Sequence, residues 1–475
     1  MAPDASGLPA ISVSATQVQA NGSFYIHSDL LGRIRSENLY VYRASPQRLR
    51  EDVGQECQIA QDYRGRLIYE LLQNADDAMA NGGTSACIRF ELTDTDLWVA
   101  NSGRPLDEAD VRGLCGVSAS KKGAHGLNRR ASIGHKGMGF KSVLEISDAP
   151  EVYSTAICFR FSPEDALRGV HPLVAEGKFD QVVRAPATRF PWPVEGPVSA
   201  WERLRSCGMN TAFRFPLREK MTDEQRERLD GGLRNLPVTS LIFLKHIGRI
   251  EVHVNRGEQP TAFAWTVLRQ HLDGDTVREV PGFEVSGDYR ITLISDEGPS
   301  ETFLLSHDAD IPIAAHRGGI DEFTWEGVEF TEVSLAARMA DGQPVPLPEG
   351  WRRFHVFLPT GEPCPYDLLV SGAFGSNLSR QEIRVEDDEN NYNKFLFAQA
   401  ARVLRDRLLP RLLKEGSTVV NCLRLLDRRV AVGAQCATAA AQAFYEEVAR
   451  HLADLVFLPG EGEERFSIRQ CTVPP

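Results

Sequence analysis

The amino-acid sequence predicts an α+β protein: a mixed, mostly antiparallel sheet covered by helices, then a second α/β domain and a helical C-terminal segment. Three observations predict this order. A helix-forming region at 46–80 precedes two short apolar strands. A period-two pattern with Gly and Asp turns runs from about 260 to 345, which is typical of an antiparallel sheet. Residues 391–414 then carry a long helical pattern.

The composition is that of a folded chain with more than one domain. A chain of 475 residues is too long for a single hydrophobic core, since a domain usually holds roughly 100–200 residues. The net charge of −12 argues against a protein that coats nucleic acid with a basic surface. The nine cysteines include no C-x-x-C pair, so neither a zinc site nor a disulfide framework is indicated. With no secretory signal and no membrane-length apolar run, a cytoplasmic protein is expected.

The predicted elements follow from local signals along the chain. Gly82 and Gly83 end the first helical region, and Asp107 is a suitable N-cap for the helix that follows the strand pair. A glycine-rich loop then leads into a helix near Phe140, and Pro410 should kink the late helix. In order, the elements are an arm at 1–36, helix 46–80, strands 86–92 and 96–102, helix 107–116, strands 151–161 and 210–217, helix 222–236, a strand-rich segment 239–254, buried strands 352–360 and 366–374, and helices 391–414 and 430–455.

The segment ELLQNADDA (70–78) carries polar side chains on a helix that should pack in a core. At about 3.6 residues per turn, Glu70, Asn74 and Asp77 fall within roughly 60° of one another. They form one polar stripe, while the leucines pack elsewhere. An ordinary solvated face with i,i+4 contacts explains this nonapeptide equally well, so its meaning depends on the other motifs.

Three further motifs follow in a fixed order. A strand ends at Asn101 and gives way to Gly103, the segment SIGHKGMGFKS (132–142) precedes a helix, and Thr211 enters a strand. Glycines ahead of a helix N-terminus let backbone N–H groups approach phosphates, where the helix dipole favours an anion. A glycine-rich loop by itself is also a common flexible turn, so the order of the motifs is the more specific signal.

The ordered motifs resemble the GHKL ATPases, the group that contains DNA gyrase, the large heat-shock chaperones, histidine kinases and mismatch-repair MutL. Within that group the chain is similar to the sacsin and NO VEIN type, through YELLQNADDA, VANSGRPLDEADVRGLCGVSASKK and IGHKGMGFKSVLEISDAPEVYS. The resemblance is strong over about 60–220 and weaker to about 400. It implies a Bergerat-type two-layer α/β sandwich. The implied divisions are an N-terminal arm at 1–36, an ATP-binding domain at 37–256, a transducer-like middle domain at 257–415 and a truncated helical segment at 416–475.

The resemblance also implies roles for the polar stripe. Glu70 matches the general base that activates the water attacking the γ-phosphate. Asn74 matches the Mg²⁺ ligand, and Asp77 matches an aspartate that positions the nucleotide. Asn101 stands where most members carry an aspartate that reads the adenine amino group, so base selectivity is less secure here than phosphate binding. Thr211 matches the threonine that supports adenine recognition.

The remaining implied nucleotide contacts lie in glycine-rich segments and in a mobile lid at about 116–133. These contacts are Gly103, the lid residues Ser118, Ser120 and Lys121, and the run Gly134, His135, Lys136, Gly137, Met138, Gly139, Phe140 and Lys141. For His135, a hydrogen bond to the loop backbone is favoured over a role as a general acid or base. In the second domain, Arg380 is the candidate cation for the γ-phosphate. A surface ion pair between Arg380 and Glu382 or Glu386 is the alternative.

The resemblance therefore implies ATP and Mg²⁺ binding, slow ATP hydrolysis and a clamp-like cycle in which lid closure brings two N-terminal units together as a homodimer. A chaperone or remodelling protein with a protein client is the first expectation. The alternatives are an ATPase subunit or sensor that controls a nucleic-acid effector, such as a bacterial anti-phage defence system, and a nucleotide-gated scaffold with little turnover. Direct nucleic-acid binding stays open. The arm at 1–36 is a candidate for exchange between protomers.

Overall fold

The computed structural model describes residues 28–62, 66–80, 86–116, 139–155, 157–179, 182, 184–194, 198–256, 260–313, 328–377, 381–386, 391–426, 438–453, 458–459 and 465–466. Helices dominate the two ends of this described part, and long strands dominate its middle. Among the described residues, every helix is too short or too polar to cross a membrane.

The helices begin and end largely where the sequence signals place them. Asp107 is the N-cap of its helix, since its carboxylate accepts the N–H of Asp110 at 2.9 Å, so that prediction is confirmed. The α-helices are α1 Ser28–Ala44, α2 Pro46–Asp62, α3 Leu67–Ala78, α4 Glu108–Cys115, α5 Pro163–Ala175, α6 Ser199–Ser206, α7 Asp223–Arg234, α8 Thr239–Ile242, α9 Tyr392–Val403, α10 Leu409–Lys414, α11 Val419–Arg424 and α12 Ala439–Leu452. There are also 3-10 helices at Gly139–Glu145 and Ala187–Arg189 and a π-helix at Leu404–Leu408.

Sixteen of the described strands join in one sheet. The strands are β1 Cys87–Leu92, β2 Asp96–Asn101, β3 Glu151–Ser154, β4 Cys158–Arg160, β5 Trp192–Pro193, β6 Thr211–Pro216, β7 Arg249–Val254, β8 Thr261–Asp273, β9 Thr276–Val280, β10 Gly287–Ser295, β11 Glu301–Pro312, β12 Phe330–Ala340, β13 Gln343–Pro344, β14 Arg353–Val356, β15 Leu358–Pro363, β16 Leu369–Gly372, β17 Leu458–Pro459 and β18 Arg465–Phe466. The last two form a separate pair.

The sheet order is β15-β14-β16-β12-β11-β10-β8-β7-β1-β2-β6-β3-β4-β5, with β13 beside β12 and β9 beside β8. Only the pairs β1–β7 and β14–β16 are parallel among these described strands. The expected mixed, mostly antiparallel sheet with covering helices is therefore confirmed. Because β7 pairs with β8, the sheet continues without a break through position 256, where a division was expected.

One apolar core spans both halves of this sheet, of which the first is built from β1 to β7 and the second from β8 to β16. It includes Leu72 of α3, Phe90 of β1 and Phe213 of β6, and it extends to Ile291 and Leu305 in the second half. On the other face of the first half, α6 covers an aromatic cluster in which the ring centroids of Trp98 and Tyr153 lie 5.4 Å apart. Helices therefore cover both faces of the sheet at this point, whereas two layers were expected.

Helix α1 belongs to the globular body. Leu30, Leu31 and Ile34 lie in the main core, and Glu37 forms an ion pair with Arg112 of α4 at 2.6 Å. Residues 28–36 thus pack against the rest of the same chain, and exchange of the arm between protomers stays a prediction. Residues 1–27 lie outside the described part.

Four local predictions need correction. The segment 239–254 begins with helix α8, whose four residues are all buried, so its apolar run reflected burial rather than a strand. The segment 352–360 is two strands, because Phe357 at φ 63° reverses the chain between β14 and β15. The segment after the glycine-rich loop is a 3-10 helix rather than an α-helix. The late helix continues through a π-helical turn before Pro410, a widening that accommodates a residue without an N–H.

Candidate functional site

Helix α3 carries the predicted catalytic stripe on a largely buried helix. Leu71, Leu72 and Ala75 pack in the main core. Glu70 is only 3% exposed, while Asn74 and Asp77 are half-buried. A solvated face does not explain a carboxylate at the exposure of Glu70, because an ionised group leaves water only where other groups compensate it.

The end of β2 lies directly against the end of α3. The N–H of Arg104 donates to the carbonyl oxygen of Ala78 at 2.9 Å. A Cβ atom on Gly103 would lie 2.6 Å from that same oxygen, so a side chain has no room there. The contact brings the predicted Asn101–Gly103 motif to the residue that follows Asp77.

Asn101 and Thr211 are cross-strand neighbours on β2 and β6. The Asn101 side-chain oxygen accepts the N–H of Gly103 at 3.0 Å, and the residue is 4% exposed. Thr211 is 2% exposed, and its hydroxyl oxygen has no hydrogen-bond partner among the described residues. A buried hydroxyl without a partner is unusual in a folded protein and is suited to bind a ligand or an ordered water.

Two polar side chains that the sequence analysis did not identify fix this corner. The Asn210 carboxamide donates to the backbone oxygens of Ser102 and Gly103 at 3.1 and 3.0 Å. The Ser154 hydroxyl accepts the N–H of Leu106 at 3.0 Å. The sequence signal that could have identified Asn210 is its position directly before Thr211, where a side-chain carboxamide stands at the start of a strand.

The 3-10 helix Gly139–Glu145 packs against both α2 and α3. The Phe140 ring lies in the core, with its centroid 5.7 Å from that of Phe213 and 5.9 Å from that of Phe161. The Phe140 side chain therefore contributes to the core, and its backbone is what remains for the proposed nucleotide contact. Gly139 begins this helix, as the motif predicts.

The Lys141 side chain is buried toward α2. Its charged neighbours are Glu56 and Asp52 of that helix together with Arg189, and its ammonium has no hydrogen-bond partner among the described residues. Burial lowers the pKa of Lys141 to about 8, and Glu56 acts in the opposite direction. Lys141, an implied nucleotide contact, thus lies near the carboxylates of α2, and its contact with a nucleotide stays a prediction.

The second half of the sheet reaches the start of α3. The Arg66 guanidinium, which precedes α3, donates to the carbonyl oxygen of Pro359 on β15 at 3.2 Å. The N–H of Gly361 on the same strand donates to the carbonyl oxygen of Gln381 at 2.9 Å. The segment that follows Arg380 is thereby attached to β15, the strand that accepts this hydrogen bond from the residue before α3.

The other predicted site residues lie outside the described part of the chain. They are the lid residues Ser118, Ser120 and Lys121, the loop residues Gly134, His135, Lys136, Gly137 and Met138, and Arg380.

A cavity of about 260 Å³ lies between α2, the 3-10 helix and the start of α5, and its described lining includes none of the predicted nucleotide-binding residues that the structure describes. Glu56 in its wall already accepts the N–H groups of Ala187 and Thr188. The wall also holds Arg218, which forms an ion pair with Asp148 at 2.6 Å. Glu56, Arg218 and Asp148 in this wall therefore already have partners within the protein.

Comparison with known proteins supports the similarity to sacsin and NO VEIN that the motifs indicate. Residues 89–262 match the Sacsin domain family, a stretch that contains Asn101, Gly103 and Thr211 and begins after α3. The chain resembles sacsin and NO VEIN. It is 28% identical over 257 residues to the protein NO VEIN of Arabidopsis thaliana, covering 48% of this chain and 9% of that protein. It is 26% identical over 243 residues to sacsin of Homo sapiens, covering 45% of this chain and 5% of that protein.

Both aligned regions are thus small parts of very long relatives. The expected similarity to the sacsin and NO VEIN type is confirmed over this region.

Proposed function

We propose that the chain is a GHKL-type ATPase with a Bergerat-type nucleotide site, which binds ATP with Mg²⁺ and hydrolyses it slowly. The contact between Gly103 and Ala78 carries this proposal. It joins the helix that bears Glu70 and Asn74 to the strand that bears Asn101, as a nucleotide lying across both would require. The similarity to sacsin and NO VEIN supports the same reading.

The residues of α3 suit the phosphate end of such a site. Asn74 is half-buried and offers a neutral carboxamide oxygen, a hard ligand of the kind that Mg²⁺ takes beside substrate phosphates. Mg²⁺ when bound would neutralise charge on the phosphates. Glu70 lies one helical turn before Asn74 and accepts the proton of the attacking water in the proposed reaction. Its burial limits competition from bulk water at that carboxylate.

The pair on β2 and β6 suits the adenine end. The Asn101 oxygen already accepts one N–H from Gly103, and its remaining lone pair can accept from the adenine amino group. The Thr211 hydroxyl is buried beside it and is available to the base or to a bridging water. An aspartate is thus not needed at position 101 for the acceptor role.

The proposed output is a conformational cycle of the chaperone or remodelling type. Residues 117–138 connect α4 to the 3-10 helix and occupy the place of a lid in the chain order. Closure over ATP would shift the chain toward a dimeric state, and hydrolysis would reverse that shift. A protein client is the expected partner.

The experiment that tests the activity compares Glu70→Ala with Glu202→Ala, an exposed helical glutamate on the far side of the sheet. Glu70→Ala should keep Mg²⁺-dependent ATP binding in calorimetry and lose phosphate release, because only the base is removed. Glu202→Ala should retain both. Equal turnover in the two variants would remove Glu70 as the base, and a native chain that does not bind ATP would end the proposal.

The choice between output classes needs a separate measurement. ATP turnover of the native chain is measured with a chemically denatured protein and with double-stranded DNA at low and high salt. Stimulation by the denatured protein supports the remodelling role. Salt-sensitive stimulation by DNA supports the nucleic-acid effector instead, and binding without turnover supports the nucleotide-gated scaffold.

A further inference from the structure

Asp76 lies on α3 between the predicted site residues, yet its side chain points into the protein. It is 1% exposed. Its carboxylate accepts three consecutive backbone N–H groups, those of Lys245 at 2.9 Å, His246 at 2.8 Å and Ile247 at 2.8 Å. Successive N–H groups that converge on one anion form a nest that favours a carboxylate strongly.

The same turn is held from its other side by Arg269 of β8. This guanidinium is 2% exposed and donates to the carbonyl oxygens of Leu244 at 2.7 Å and Ile247 at 2.8 Å. Burial lowers the pKa of Arg269 to about 10, and the negative charge of Asp76 acts against that shift. The turn 244–247 therefore lies between two buried opposite charges, with its N–H groups toward Asp76 and its carbonyls toward Arg269.

A third contact ties this turn to β12. The Lys245 ammonium bonds to the Glu332 carboxylate at 2.6 Å, and Glu332 is 5% exposed. The same ammonium lies 5.9 Å from the centroid of the Phe357 ring, at the residue that reverses the chain with φ 63°. Helix α3 is thus linked through Asp76 and the four residues of the turn 244–247 to β8, β12 and the β14–β15 turn.

We propose that Asp76 is the positioning residue that fixes helix α3, and with it Glu70 and Asn74, against β8 and β12 through the turn 244–247. This inference rests on the proposed ATPase function. Glu70 and Asn74 lie within two turns of Asp76 on one rigid helix, so a shift of α3 against the turn displaces both. The same attachment carries a movement of α3 on nucleotide binding to the second half of the sheet.

The test compares Asp76→Asn with Asp165→Asn. Asp165 is also 1% exposed and is ion-paired, to Arg160 at 2.8 Å, but it lies on α5. Asparagine keeps the shape of Asp76 but turns an NH₂ toward N–H donors and removes the charge opposite Arg269. Both variants lose a buried carboxylate, so a difference between them reports the position of the group rather than general destabilisation.

Three readouts are taken on the full chain: the affinity for ATP with Mg²⁺, kcat, and hydrogen exchange of the amides of residues 245–247 with and without ATP. Asp76→Asn should lower kcat by about 10- to 100-fold, since a small misplacement of a catalytic group has effects of this size. In the native chain ATP should slow exchange at these amides, and in Asp76→Asn that slowing should be lost. Asp165→Asn should match the native chain in both.

A second variant covers the case in which Asp76→Asn does not fold. Lys245→Met keeps the backbone N–H that Asp76 accepts and removes the ammonium that bonds to Glu332 and lies over Phe357. ATP should slow exchange at 245–247 and at β12 in the native chain, and in this variant it should still slow exchange at 245–247 but no longer at β12. The inference is overturned if ATP slows hydrogen exchange at the β12 amides of Lys245→Met as much as in the native chain. It is also overturned if Asp76→Asn and Asp165→Asn have equal kcat. Either result leaves the ATPase proposal standing. A native chain that ignores ATP overturns both.

Discussion

Gly103 and Ala78 are packed so closely that a single added methyl group would bring Cβ within 2.6 Å of the Ala78 carbonyl oxygen and 2.8 Å of its carbonyl carbon. Both obstructing atoms belong to the backbone at the end of a helix that packs in the main core. Relief would therefore require α3 itself to move. The glycine in the strand-end motif is explained by this close approach.

Gly103→Ala should destabilise the chain and weaken ATP binding, because the shift it forces acts on the helix that bears Asn74 and Asp77. Overpacking against backbone costs about 1–3 kcal/mol. Urea unfolding measures the loss in the free energy of unfolding, and calorimetry measures the loss in nucleotide affinity.

Gly54→Ala is the matched control for that variant. Gly54 lies inside α2, and a Cβ there would meet no atom within 4 Å. Alanine should stabilise this helix by about 0.5–1 kcal/mol and leave ATP affinity unchanged. Equal unfolding free energies of the Gly103 variant and the native chain would contradict the packing argument.

Asn74→Ala should lower ATP affinity only when Mg²⁺ is present, because the carboxamide is proposed to act through the metal ion. Calorimetry with ATP is carried out once with Mg²⁺ and once with EDTA. Asn235→Ala, which removes an exposed carboxamide from the end of α7, serves as the control and should bind normally in both. An Asn74 variant with native affinity in Mg²⁺ would rule out the ligand assignment.

Arg380→Ala should slow phosphate release without weakening ATP binding, because a cation at the γ-phosphate acts on charge that develops in the transition state. Gln381, the residue that follows Arg380, accepts a hydrogen bond from β15, and β15 in turn accepts one from Arg66 at the start of α3. Arg205→Ala, an exposed helical arginine on α6, is the control. Equal turnover of both variants would favour the surface ion pair with Glu382 or Glu386.

Acid should destabilise the chain through His355. This side chain is fully buried with its ring edge toward Phe243, and burial lowers its pKa from 6.5 to about 3. Between these two values the unfolded chain binds a proton that the folded chain does not. Stability is therefore lost as pH falls from 6.5 toward 3, by at most about 1.4 kcal/mol per pH unit.

Urea unfolding of the native chain and of His355→Leu at pH 7 and pH 5 measures this effect. Other titrating groups are common to both chains and largely cancel in the difference. The native chain should lose more stability than His355→Leu between these pH values. The same loss in both would show that His355 takes up its proton in the folded state as well.

The sequence carried enough information for elements with local signals. The strand pair β1–β2 and the cap at Asp107 follow from alternation and capping chemistry. The stripe on α3 was placed by helix period, and the glycine at 103 by the resemblance. These features depend on a few neighbouring residues, which one sequence displays directly.

Long-range partners were not predictable in the same way. Helix period places Asp76 off the stripe of Glu70, Asn74 and Asp77, but it does not reveal the partners of its carboxylate, which lie about 170 positions later. The chain reversal at Phe357 has no glycine, proline or asparagine to announce it. The burial of Lys141 near Glu56 of α2 could not be read from the sequence either, because only the packed structure fixes the direction of that side chain.

The pairing of β7 with β8 also limits how the protein can be divided. A chain cut at residue 256 would keep the pairing of β7 with β1 but remove β8 from its other side, leaving the strand of Ile250, Val252 and Val254 as an open edge. Such edges recruit strands from other molecules. The Sacsin-domain match ends at residue 262, two residues into β8, so a fragment trimmed to that match is expected to aggregate, while one extended through residue 273 keeps its hairpin.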